Sequence, residues 1–153
     1  MIKKEDILKS QEMWARGIIN IGESNDNFSR AKNLTLKLLN ELYDFKDGKV
    51  QFKPTKVSDQ QFRSDENSAL SYFIGGNKTF PEDTGFAMSQ WKNIQFKNDS
   101  INIFENMAIA MGNYFFTDNS GVKTKVEYSF AYIKRGNTLK IVLHHSSLPY
   151  NLC

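Results

Sequence analysis

Both histidines of the chain, His144 and His145, stand side by side in the segment Lys140-Ile141-Val142-Leu143-His144-His145-Ser146-Ser147-Leu148-Pro149-Tyr150, and two serines follow at once. The segment starts as an apolar strand, turns polar while still reading as extended, and is ended by Pro149. Four polar groups at the end of a core strand point to a site. Imidazole accepts or relays protons near neutrality, and a serine hydroxyl donates and accepts hydrogen bonds. A plainer reading competes with this: a satisfied core histidine with serines capping free backbone groups.

The residue types limit the chemistry. A catalytic zinc site usually takes three ligands from His, Cys and carboxylates. Neighbouring histidines on a strand point to opposite faces and do not readily chelate one ion. A three-histidine zinc site is excluded for this chain alone, and no paired carboxylate spacing supports a mixed one. The single cysteine, Cys153, excludes an intrachain disulfide and a cysteine-based zinc site. No Gly-x-Ser-x-Gly elbow, phosphate loop, dinucleotide fingerprint or EF-hand spacing occurs.

The elements that must position these groups fall in two blocks. Helical spacing of Ile7, Trp14, Ile18 and Ile21 gives a first helix, and a second runs from about Phe28 to Tyr43. A short strand covers Lys49 to Thr55, and a short helix spans about Asn67 to Phe73, stopped by Gly75-Gly76. From Phe86 onward the chain reads mostly as strands: Trp91–Phe96, Ile101–Phe104, Met107–Thr117, Val122–Lys134 and Thr138–Ser147. Helices first and antiparallel strands after is an α+β pattern, a curved antiparallel sheet with helices packed on one face. The 153 residues suit one domain, 1–153.

Alternation sharpens the site. An even loop in the last hairpin puts Tyr128, Phe130 and Tyr132 on one face with Ile141, Leu143, His145 and Ser147. His145 and Ser147 then point into an aromatic interior, and His144 and Ser146 point away. Tyr72, in Ala69-Leu70-Ser71-Tyr72-Phe73-Ile74, and Thr55, after Pro54, are further polar groups available to line it. Each alone reads as a core tyrosine and a turn threonine.

The formal net charge is +3 with acids and bases interspersed, which excludes a nucleic-acid footprint. No secretory signal or membrane span is visible, and a cytoplasmic location follows by default.

His144-His145-Ser146-Ser147-Leu148-Pro149-Tyr150 resembles the C-terminal signature of the iota-class carbonic anhydrases. Phe52-Lys53-Pro54-Thr55, Ala69-Leu70-Ser71-Tyr72-Phe73, Asp83-Thr84-Gly85-Phe86-Ala87, Ala108 to Thr117 and Lys125-Val126-Glu127-Tyr128 resemble the same family, in order, from the second helix to the end. The resemblance implies a cone fold similar to the association domain of calcium/calmodulin-dependent kinase II and to ketosteroid-isomerase-like proteins, and a homodimer. It implies reversible hydration of carbon dioxide to bicarbonate. Carried over, the catalytic set is Thr55, Tyr72, His145 and Ser147. Tyr128, Phe130, Leu143 and Ser146 would complete the substrate pocket, and His145 would accept or relay the proton. No metal cofactor is expected, since the chain is poor in ligands, although some family members use manganese or zinc. Two other readings stay open: a non-catalytic ligand-binding or oligomerisation module, since this fold serves assembly elsewhere, and an isomerase or lyase acting on a cyclic ketone, which would want a carboxylate base in the pocket.

Overall fold

The computed structural model describes residues 1–152, so Cys153 lies outside the described residues. Three helices, α1 (Lys4–Glu23), α2 (Phe28–Leu42) and α3 (Glu66–Ile74), pack over one face of a five-stranded sheet. The strands are β1 (Gln51–Lys53), β2 (Asn93–Ile103), β3 (Met107–Thr117), β4 (Lys123–Arg135) and β5 (Thr138–Ser147), in the spatial order β1-β5-β4-β3-β2. All pairs are antiparallel except β1 with β5, which is parallel. The sheet is curved and unclosed, and the expected α+β class with helices on one face holds.

Local signals account for the elements. Asn27 caps α2 by accepting from the Arg30 backbone N–H, and Asp65 and Ser68 form a reciprocal capping box at α3. Ile7, Trp14, Ile18 and Ile21 form the buried stripe of α1. The β4–β5 hairpin closes with the two-residue loop Gly136-Asn137, in which Gly136 supplies a positive φ of 61°.

Two expectations need correction. Trp91–Phe96 and Ile101–Phe104 are not two strands but parts of the single strand β2, with Asp99 bulged out between the Asn98–Gly112 and Ser100–Met111 pairs. A Cβ on Gly112 would sit 2.2 Å from the Lys97 carbonyl oxygen, so only glycine lets the bulge lie this close. Phe86–Ser89, ahead of β2, forms a single 3₁₀ turn.

The second correction decides the site. The hairpin loop is even, as expected, and Tyr132 does pair with Ile141. The next pair is Ala131 with Leu143, so Val142 is an unpaired bulge residue. One extra residue reverses the alternation beyond it. Phe130 therefore pairs with His144 and Tyr128 with Ser146, and these four side chains share the buried concave face. His145, Ser147 and Leu143 lie on the opposite face, where His145 is exposed and Ser147 donates to Glu127 at 2.9 Å.

Candidate active site

Strand β1 delivers one wall. Phe52 pairs in parallel with His144, and the chain turns at buried Pro54 to present Thr55 beside the end of β5. Helix α3 supplies Tyr72, strand β3 supplies Tyr114 and helix α1 supplies Trp14. These groups line a partly open cavity of about 10 Å³, room for roughly one water-sized centre. Its polar lining is Thr55, Tyr72, Tyr114, His144 and Ser146. Its apolar lining is Trp14, Phe52, Pro54, Phe73 and Phe86. No carboxylate, lysine or arginine lines it.

A continuous hydrogen-bonded chain runs behind this cavity. Trp14 Nε1 donates to Tyr43 Oη at 2.9 Å, and Tyr43 Oη lies 2.9 Å from His144 Nδ1. His144 Nε2 lies 3.0 Å from Tyr114 Oη, which is 2.5 Å from Ser146 Oγ. Ser146 Oγ is 2.6 Å from Thr55 Oγ1 at the cavity edge. Tyr72 Oη accepts from the Lys56 backbone N–H at 3.2 Å, and Lys53 Nζ donates to the Ser146 carbonyl at 2.9 Å.

Burial sets the electrostatics. His144 is stacked between Phe130 and Phe52, with centroids at 4.1 and 4.9 Å. Loss of hydration, and secondarily the charge of neighbouring His145, lower its pKa from the ordinary 6.5 to about 3, so it is neutral at physiological pH. Burial likewise pushes the Tyr43, Tyr72 and Tyr114 hydroxyls well above the usual tyrosine range, and all three stay protonated. The site is a set of neutral dipoles.

Two acidic residues pin its walls. Asp83 takes two hydrogen bonds from the Arg63 guanidinium at 2.7 Å each, with both side chains fully buried, and one from Ser71 Oγ next to Tyr72. The Arg63 backbone N–H donates to the Phe52 carbonyl at 2.8 Å, tying the loop after Thr55 back to β1. Glu82 accepts from the backbone N–H groups of Ser58, Asp59 and Gln60 in that same loop.

Of the residues expected from sequence, Thr55, Tyr72 and Ser146 meet at one cavity, and Tyr128 and Phe130 lie on the same concave face. His145, Ser147 and Leu143 do not reach it; His144 and Ser146 stand where His145 and Ser147 were expected. Three members of the chain were missed. Trp14 and Tyr43 read as core and helix end, while Tyr114 is the one residue with a polar tip among the inward positions Ala108, Ala110, Gly112, Tyr114 and Phe116. Among the described residues, no three His, Cys, Asp or Glu side chains converge as a metal ion would need, and no helix is long and apolar enough to cross a membrane.

Comparison with known proteins agrees with this architecture. A family model described as metal-independent carbonic anhydrase matches residues 5–148. A metal-independent carbonic anhydrase of Nostoc sp. (strain PCC 7120) is 39% identical, over 97% of this chain and 75% of its own length. The crystal structure of a cyanobacterial iota-carbonic anhydrase complexed with bicarbonate superposes with a TM-score of 0.94 at 38% identity, covering 99% of this chain and 94% of that one. A calcium/calmodulin-dependent kinase II association domain from Xanthomonas campestris shares the fold alone, with a TM-score of 0.67 at 20% identity.

Proposed function

Because the chain belongs to the metal-independent carbonic anhydrase family, we propose that it catalyses the reversible hydration of carbon dioxide to bicarbonate and a proton, in the cavity walled by Thr55, Tyr72 and Ser146. The observation that carries this reading is the convergence of three neutral hydroxyls at a small, partly open aromatic cavity lined by no charged side chain. Such a lining suits an uncharged substrate. It also supplies hydrogen-bond donors to the oxygen on which negative charge develops.

His144 does not serve as the base that the sequence led us to expect of His145. Its pKa of about 3 makes it a poor proton acceptor, and both of its ring nitrogens are already engaged, Nδ1 with Tyr43 and Nε2 with Tyr114. A hydroxyl can do the work instead, because it accepts and donates at once. In the proposed step the water oxygen bonds to the carbon of carbon dioxide. One water proton passes to Thr55 Oγ1 while the Thr55 hydroxyl proton passes to a carbon dioxide oxygen, whose C=O π pair becomes the O–H bond. The product is carbonic acid, which ionises to bicarbonate on release. Tyr72 donates to the second carbon dioxide oxygen, and Ser146 holds Thr55 in register. No ion pair forms inside the cavity, which is why neither a metal nor a charged base is required. The cavity holds only about one water-sized centre, so the partly exposed Thr55 wall has to shift outward as carbon dioxide enters.

Stopped-flow carbon dioxide hydration tests this reading. Thr55→Val and Tyr72→Phe should each lower kcat by roughly 10²–10³, the usual cost of one transition-state donor, with assembly unchanged. A wild-type protein showing no hydration above buffer would leave a non-catalytic binding module as the better reading.

The same reading includes a homodimer. Met107, Ile109 and Met111 are exposed on the sheet face that the helices leave uncovered, beside Ala131, Ile133 and Leu143 of β4 and β5. A second copy, related by a two-fold axis, would cover this apolar row with its own. Light scattering should give twice the chain mass for the wild type and the single-chain mass for Met111→Lys.

A further inference from the structure

The chain of hydrogen bonds behind the cavity has a direction, and its origin lies far from Thr55. Indole Nε1–H can only donate. Trp14 therefore occupies a lone pair of Tyr43 and gives the Tyr43 hydroxyl proton nowhere to go. The other polar partner of that hydroxyl is His144 Nδ1. A buried hydroxyl proton is satisfied only if it donates there. Nδ1 is then an acceptor, so the single imidazole proton sits on Nε2 and donates to Tyr114 Oη. Tyr114 in turn donates to Ser146 Oγ, and Ser146 to Thr55 Oγ1. Every link follows from the one before it. The last hydroxyl, Thr55, has accepted from behind and keeps its own proton free to point into the cavity.

The opposite direction leaves one group orphaned. If His144 Nδ1–H donated to Tyr43, the Tyr43 hydroxyl proton would be buried without an acceptor. Tyr114 would then donate to Nε2, Ser146 to Tyr114 and Thr55 to Ser146. Thr55 would present only lone pairs to the cavity and could not protonate a carbon dioxide oxygen.

We infer that Tyr43, held by Trp14, is a positioning residue that fixes the His144 tautomer and thereby aims the Thr55 hydroxyl proton at the substrate; its kinetic consequence rests on the hydration reading, but the hydrogen-bond direction does not. Tyr43 lines no part of the cavity. Its influence passes through His144, Tyr114 and Ser146.

Neutron diffraction on deuterated wild-type crystals reads the direction without reference to activity. The expected result is deuterium on His144 Nε2 and none on Nδ1, with the Tyr43 deuteron on the line to Nδ1 and the Thr55 deuteron off the line to Ser146. Deuterium on Nδ1, or a Thr55 deuteron shared with Ser146, would overturn the inference. Tyr43→Phe supplies the solution test, with the side-chain ¹⁵N signals of His144 as the spectroscopic readout. The variant should lose the hydrogen-bonded Nδ1 signal, show a second tautomer, and lower kcat two- to threefold with KM unchanged. A loss of a hundredfold or more with the tautomer unaltered would make Tyr43 a structural prop, and an unaltered tautomer with unaltered kcat would also refute the inference. If the wild type has the expected deuterium positions but no hydration activity, the function fails and the directed chain stands.

Discussion

His144 makes the protein acid-labile, and the size of the effect follows from its burial. The unfolded chain carries a histidine of ordinary pKa, 6.5, whereas the folded chain refuses a proton on His144 down to about pH 3. Below 6.5 the unfolded state therefore binds more protons than the folded state. The His144 contribution to stability is fully present above that pH and is lost progressively as pH falls toward 3. At about pH 5 the gap from 6.5 is about 1.5 units, and at about 1.4 kcal/mol per unit the loss is about 2 kcal/mol. This figure is insensitive to the folded value, because any folded pKa below about 4 gives nearly the same loss at pH 5. The perturbation is His144→Gln, which removes the titrating ring. Urea unfolding of both proteins at about pH 7.5 and pH 5 isolates it, since the carboxylates contribute equally to each. The wild type should lose about 2 kcal/mol more than the variant between the two conditions. Equal losses would mean that His144 takes up a proton readily in the folded state, and the picture of a neutral, sandwiched imidazole would be wrong.

Two further perturbations test the supports of the site. Arg63→Met leaves the Asp83 carboxylate buried without its partner and should cost about 3–5 kcal/mol in chemical denaturation. Gly112→Ala drives a methyl group to within 2.2 Å of the Lys97 carbonyl at the β2 bulge and should lower stability by about 1–3 kcal/mol, measured by calorimetry.

The helices, the β3 and β5 boundaries and the hairpin loop were legible because each has a local cause: an apolar stripe at helical spacing, a polar cap, a turn glycine. The bulges were not. Lys97-Asn98-Asp99-Ser100 looks like a turn between two strands, and only the approach of Gly112 from β3 keeps it in one strand. Val142 looks like any core valine, yet its exclusion from pairing moves the site from His145 and Ser147 to His144 and Ser146. Strict alternation carries no information about where a strand takes an extra residue, because that is set by its fit to the neighbouring strand. Thr55 and Tyr72 were reached through family resemblance, since neither stands out locally. Trp14, Tyr43 and Tyr114 were invisible for a different reason. An aromatic residue in an apolar pattern reads as core, and each of these is core except for the single polar atom that joins the chain.

The central claim is that neutral hydroxyls, with neither a metal-bound water nor a titrating base, carry out the hydration. The most direct test is kcat/KM for carbon dioxide hydration by chelator-treated, metal-analysed protein across about pH 6 to 8.5. Over that range His144 and the cavity tyrosines keep one protonation state, so the expected profile is flat and the same with and without chelator. A sigmoidal rise with a midpoint near 7, the signature of a metal-bound water, or activity lost on chelation and restored by one metal, would contradict it.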